Sequence, residues 1–260
     1  MKVIVVSDVH LGYENSDKKS FNIYLDGLQH DYEFTDLVLL GDLVDMWRRD
    51  SSGVFLENHD TFEKVLGLGQ KVRAHYVAGN HDFHVLKMKG HSYPLNFIKG
   101  LDLTDGDYNY RFLHGYEFDQ DQKESHMEAL CRVMSDEVES IVSDAWSTMT
   151  RDLGDLRSML VDPLMRERRK QQGGLMLKPE IRLKDRLRGI ESHVCSIVRP
   201  SEILVFGHTH RPFINKAETV VNCGSWVNDS PIHNTYVELH NGKPRLFAFG
   251  GEEILERSEC

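Results

Sequence analysis

Five short stretches of this chain combine carboxylates, imidazoles and glycine: Asp8-Val9-His10, Gly41-Asp42-Leu43-Val44-Asp45, Gly79-Asn80-His81-Asp82, His114-Gly115 and Gly207-His208-Thr209-His210. Carboxylate and imidazole together suit Mn²⁺, Fe, Co²⁺ or Zn²⁺, and no thiolate lies near them, which argues against a structural zinc cage. An Asp and a His one residue apart, in a turn after a strand, can converge on one cation. Glycine lets the backbone turn sharply beside a metal and leaves room for a phosphate. Each stretch alone is a weak signal, because a lone histidine at a strand end more often serves structure. The weight comes from five such turns in one order. Histidines, two aspartates and an asparagine can hold two metals and still leave positions open for substrate.

The elements that must position these turns are readable from periodicity. Residues 2–6, 37–40, 72–78, 111–113 and 203–206 are short apolar runs, each ending at one of the five stretches. Such runs predict buried strands, and ligand sites of α/β sheets lie beyond the carboxyl ends of strands. Residues 20–28 and 61–68 carry apolar side chains at helical spacing, so the early chain alternates strand and helix. Residues 219–222, 235–239 and 245–249 predict further strands that close a second sheet, with Asn241-Gly242 as a hairpin turn.

Length and charge bound the rest. The 260 residues suffice for a single α/β domain over residues 1–260 with a helical insertion at about 120–198, where Met, Leu, Arg and Glu replace Gly and β-branched residues. The net charge of −10 argues against a nucleic-acid coat protein. Residues 151–189 reverse it locally, with eleven Lys and Arg against six Asp and Glu. That stretch reads either as a solvated helical face or as a cap that attracts an anionic substrate or a membrane surface. Four widely spaced cysteines without a CxxC pair read as reduced thiols. The apolar start is too short for a signal-peptide core, and no run approaches the roughly 18 apolar residues of a membrane span. A cytoplasmic protein with at most peripheral membrane contact is expected.

The series DxH, GDxxD, GNHD, H and GHxH resembles the calcineurin-like metallophosphoesterase superfamily, over most of the chain from Asp8 to His210. The resemblance implies a four-layer α/β/β/α sandwich with a dinuclear centre of divalent ions, Mn²⁺ ahead of Fe, Zn²⁺ or Co²⁺. It implies that Asp8, His10 and His210 hold one metal, that Asn80, His114 and His208 hold the other, and that Asp42 bridges both. His81 would then act on the leaving group or stabilise developing charge, and Asp45 would orient His81. Asp82 reads as structural. The implied reaction is hydrolysis of a phosphoester or pyrophosphate by metal-activated hydroxide.

The helical insertion, Asp42 to Trp47, His208 to Pro212 and Gly224-Ser225-Trp226 are most similar to the UDP-2,3-diacylglucosamine hydrolase branch, where the insert caps a lipid groove. The chain departs from that branch with His81 in place of Arg and with Val227 in place of a His after the Trp. The expected substrate is a phosphorylated small molecule or a lipid- or nucleotide-linked pyrophosphate. A nuclease-like or cyclic-nucleotide phosphodiesterase is the alternative, with nucleic acid less favoured. A non-enzymatic interaction module on the same fold is the rival from another class.

Overall fold

The apolar runs that precede the five stretches all form strands. The computed structural model describes residues 1–30, 33–118, 179–255 and 257–258, without the side chains of 179–186. In the first sheet, β1 (Lys2–Val6), β2 (Asp36–Leu40), β3 (Arg73–Val77) and β4 (Asn96–Ile98) run parallel in that order. On the other side of β1 the sheet continues antiparallel through β10 (Thr235–His240), β11 (Lys243–Ala248) and β12 (Glu252–Glu253). The second sheet has the order β13 (Arg257–Ser258), β8 (Phe213–Asn215), β9 (Val220–Asn222), β7 (Glu202–Phe206), β6 (Tyr108–Phe112), β5 (Leu101–Asp105).

Side-chain alternation stacks these sheets. Successive residues of a strand point to opposite faces, so Val3 and Val5 of β1 join Val38 and Leu40 of β2 on one side, against Ile203 and Val205 of β7. Ile4 and Val6 face the other way and pack with Leu37 and Leu39 against the helices α1 (Lys18–His30) and α3 (His59–Gly69). Phe21, Tyr24 and Leu25 are the buried residues of α1, at one-face spacing. Its start is capped by Asp17, whose side chain accepts from Ser20 N at 3.0 Å. A short α2 (Ser51–Glu57) precedes α3 and is capped by Asp50, which accepts from Gly53 N at 2.7 Å.

On the outer face of the second sheet, Leu204 and Phe206 meet Ile190 and Val194 of α4 (Pro179–Ile197), two positions one turn apart. The layers are therefore helix, sheet, sheet, helix, an α/β/β/α sandwich. Residues 119–178, with most of the expected insertion, its Met/Leu-rich segment and most of the basic stretch, lie outside the described residues. No described helix is long and apolar enough to cross a membrane.

Two expectations are corrected. Residues 235–239 and 245–249 do not join the second sheet; as β10 and β11 they extend the first. The reason is that both faces of β10 are used. Val237 and Leu239 fill the space between the sheets, while Tyr236 packs against Tyr24 of α1 with ring centroids 4.6 Å apart. Only a strand of the first sheet has α1 behind it. The Asn241-Gly242 hairpin does form, with positive φ of 50° and 73° at its two residues. The cysteines are not uniformly reduced: Cys223 is a buried free thiol, whereas Cys195 is disulfide-bonded.

Candidate metal centre

Each of the five stretches leaves the carboxyl end of a strand. Asp8 and His10 follow β1, Asp42 and Asp45 follow β2, Asn80 and His81 follow β3, His114 follows β6, and His208 and His210 follow β7. The turns are tied together by backbone bonds, His10 N to Asp42 O at 2.9 Å and Gly207 N to His114 O at 2.8 Å. Across the sheets, His208 N donates to Asp8 Oδ2 at 2.9 Å. Asp8, His10, Asp42, His208 and His210 all have positive φ, between 53° and 66°. A non-glycine residue there costs roughly 1 kcal/mol or more. Five strained residues in one place, none of them glycine, mark a backbone shaped to aim side chains inward.

The side chains converge. Asp8, His10 and His210 form one group whose atoms lie within 4.8 Å of one another, and Asp8, Asp42 and His114 form a second sharing Asp8. Asp42 Oδ2 lies 3.2 Å from His114 Nε2 and 3.7 Å from His10 Nε2, so it stands between the two groups. Asp8 Oδ1 is 3.3 Å from His210 Nε2. His208 stands beside His114, with ring centroids 5.4 Å apart. A third group, His10, Asp45 and His81, is organised differently. There Asp45 accepts from His10 Nδ1 through Oδ2 at 3.0 Å and from His81 Nδ1 through Oδ1 at 2.9 Å.

Hydrogen bonding fixes which ring atoms face the centre. His10 Nδ1 is bonded to Asp45, His210 Nδ1 to Asp229 Oδ2 at 2.7 Å, and His114 Nδ1 to the Leu40 carbonyl at 2.8 Å. Carboxylates and carbonyls only accept, so each Nδ1 carries the hydrogen and each Nε2 of a neutral ring presents a lone pair. Yet His10 Nε2 and His210 Nε2 are 3.2 Å apart. Two lone pairs at that separation need a positive charge between them. Asp8 Oδ1, Asn80 Oδ1 and His114 Nε2 are buried without a hydrogen-bond partner. Orphaned buried oxygens and nitrogens of these types form a donor set that fits divalent cations.

Without a metal, protons fill that need. Burial pulls His10 down, but Asp45, Asp8 and Asp42 outweigh it and push it up to about 10. Burial likewise opposes, and Asp229 and Asp8 overcome, for His210, pushed up to about 9. His208 goes the other way, down to about 3, through burial and the neighbouring charge on His114. A raised folded-state pKa adds stability that is complete below the ordinary histidine value of 6.5 and is lost as pH rises through the folded value. Metal-stripped protein should therefore lose thermal stability between pH 6.5 and about 10, the window set by His10 and His210. Metal-loaded protein should not, because the cations replace the protons. Melting curves with chelator or Mn²⁺ across that range check this, and a flat chelator series would count against it.

Gly41 holds two of the turns together. Its φ is +81°, and a Cβ there would lie 2.3 Å from His114 Nδ1. Gly41→Ala should destabilise the protein by about 1–3 kcal/mol and displace His114. Urea melts and metal content measured on the same preparation test both effects.

Asp82 and the residues that flank the five stretches surround these groups without joining them. Asp82 accepts from Leu43 N, Tyr76 Oη and Gly79 N at 2.7–2.8 Å, tying the second turn to the third. Arg211 pairs with Glu191 of α4 at 3.1 Å. Val227 is fully buried and bridges to Ser16. Trp47 stacks on His81, with centroids 4.2 Å apart and planes at 26°. Three residues of the surrounding cavity, about 140 Å³, went unnoticed in the sequence: Tyr13, Arg48 and Asp229. Arg48 lies 4.4 Å over the Tyr13 ring and is ion-paired with Asp45. Arg48 sits three residues after Asp45, a spacing that a helical-turn reading could have flagged. Asp229 lies 19 residues from His210, and no local pattern links them.

No protein-family model matches the chain, and no curated protein matches it. Solved structures do. The fold is similar to that of a dimetal phosphatase from Danio rerio, with a TM-score of 0.53 at 12% identity, covering 98% of each chain. It is also similar to Yfce, a phosphoesterase from E. coli, with a TM-score of 0.50 at 17% identity, covering 98% of this chain and 97% of that one. At these identities the likeness is one of fold.

Proposed function

We propose that the chain is a calcineurin-like metallophosphoesterase with two divalent ions, hydrolysing a phosphoester or pyrophosphate. The observation that carries this reading is the meeting of Nε2 lone pairs and unpartnered carboxylate and amide oxygens in one buried cluster. Asp8, His10 and His210 would hold one ion, Asn80, His114 and His208 the other, and Asp42 both. When bound, such ions lower the pKa of water and offset the charge of phosphoryl oxygens. The likeness in fold to a dimetal phosphatase agrees with this.

The remaining work falls to the chain itself. Asp45 takes His81 Nδ1, which leaves Nε2 as the atom available to a leaving oxygen. His81 N in turn donates to Asp42 Oδ1 at 2.8 Å, so proton donor and bridging carboxylate are held in one register. Trp47 backs the His81 ring and limits its rotation. Arg48 adds a guanidinium to the cavity wall, suited to phosphate. A nucleotide- or lipid-linked pyrophosphate remains the preferred substrate class, because the basic stretch of residues 151–189 offers positive charge to such a molecule.

The test is elemental analysis together with hydrolysis of bis(p-nitrophenyl) phosphate in Mn²⁺. Two metals per chain and chelator-sensitive turnover are expected. A protein that takes up neither Mn²⁺, Fe, Co²⁺ nor Zn²⁺ would refute the reading, and one that binds metal without hydrolysing any phosphate ester would favour an interaction module.

A further inference from the structure

A second concave site lies at the opposite end of the first sheet. A groove of about 930 Å³ opens at the amino-terminal ends of β2, β3 and β4, bounded by the end of α3 and the loop at residues 89–95. The metal cluster follows the carboxyl ends of β2 and β3, so a five-residue strand, about 15 Å or more, separates the two. The volume is at the upper end for small-molecule sites.

The groove differs from the rest of the molecule in charge. Its lining includes Lys71, Arg73 and Lys89 with His75 and His91 and, among the described residues, no aspartate or glutamate. In a chain of net charge −10 that is a local reversal. Arg73 is held in place from behind: Nη2 donates at 2.7 Å to Asp36 Oδ2, a fully buried carboxylate that also takes Thr35 Oγ1 at 2.7 Å and meets His75 Nε2 at 3.3 Å. Asp36 offsets one charge, yet the Arg73 side chain stays 65% exposed. Its guanidinium is thus oriented without being covered. The groove walls are also fixed. A Cβ at Gly69 would lie 2.1 Å from the Pro94 carbonyl, so the end of α3 and the far loop meet at the closest approach a glycine permits. On that loop Tyr93 is 47% exposed, edge-on to Phe97 at 6.0 Å.

We propose that this groove binds a mononucleotide, its phosphates met by Arg73 and Lys89 and its base by Tyr93. An oriented guanidinium and an exposed lysine that line one groove with an exposed aromatic ring match an anion joined to a planar heterocycle. A long single strand fits less well, because a polyanion leaving the groove would cross a surface whose overall charge repels it. The assignment is independent of whether the metal cluster hydrolyses phosphoesters.

The test uses the full chain, 8-azido-ATP for photolabelling and ATP for calorimetry, with Lys89→Glu and Tyr93→Ala as variants. Both positions are exposed, and unchanged melting curves confirm intact folding. Expected results are a label within residues 89–97, competition by tripolyphosphate, and about tenfold weaker binding in each variant, equivalent to about 1.4 kcal/mol. Metal-dependent hydrolysis of the chromogenic diester should be unaffected in both. The proposal is overturned by a label confined to the metal-cluster cavity, by affinity unchanged in both variants, or by no saturable binding up to about 5 mM. Displacement of ATP by a twelve-residue oligothymidylate at lower concentration than by ATP itself would also overturn it, in favour of a nucleic-acid track.

Discussion

Asp42→Asn is expected to abolish turnover, by about 10³-fold or more, which is about 4 kcal/mol of transition-state stabilisation, and to lower the bound metal below two per chain. Asp42 is the carboxylate that stands between the two groups, 3.2 Å from His114 Nε2 and 3.7 Å from His10 Nε2. It is buried, and its carboxyl is held below the usual range because the charges of His114, His81 and His10 overcome the cost of burial. The amide is nearly isosteric but carries no charge. It would leave the facing imidazoles without their counter-ion and a cation without its shared ligand. Elemental analysis beside steady-state hydrolysis of the chromogenic diester reads both effects. Full metal content with normal turnover would remove Asp42 from the centre.

His81→Ala is expected to separate catalysis from metal binding. Its Nδ1 is committed to Asp45, and its ring stacks on Trp47 rather than completing a group with Asp8. The variant should keep its metals and lose about 10²–10⁴-fold in turnover, the range for removing a positioned acid. The loss should depend on the leaving group. An alkoxide needs a proton and p-nitrophenolate does not, so the deficit should shrink markedly on p-nitrophenyl esters. An equal loss on both would mean that His81 stabilises charge on the phosphoryl oxygens instead. Loss of metal in parallel with activity would make it a ligand, as its place in the group with His10 and Asp45 allows.

The strand assignments were readable because both faces of the core strands are apolar. Val3, Ile4, Val5 and Val6 read as one run, and the structure uses alternate members of it in two different cores. Which sheet a later strand joins was not readable. Thr235–His240 has a sequence that either sheet would accept, and its place was settled by Tyr236 meeting Tyr24 on a helix more than 200 residues earlier.

The same division runs through the candidate metal centre. Residue types and local spacing already singled out Asp8, His10, Asp42, Asn80, His81, His114, His208 and His210 as candidates, because metal chemistry restricts ligands to a few side chains and turns keep them close to glycine. The sequence by itself therefore determined the inventory of candidate donors and the strand ends that carry them. Only the tertiary structure decided the rest. It brought His10 Nε2 within 3.2 Å of a ring 200 residues away, supplied Asp229 behind that ring, and set five non-glycine residues in left-handed backbone. Those features depend on two sheets packing face to face. No local pattern encodes that, because the energy that holds the strained turns is spread over the apolar layers on either side of them.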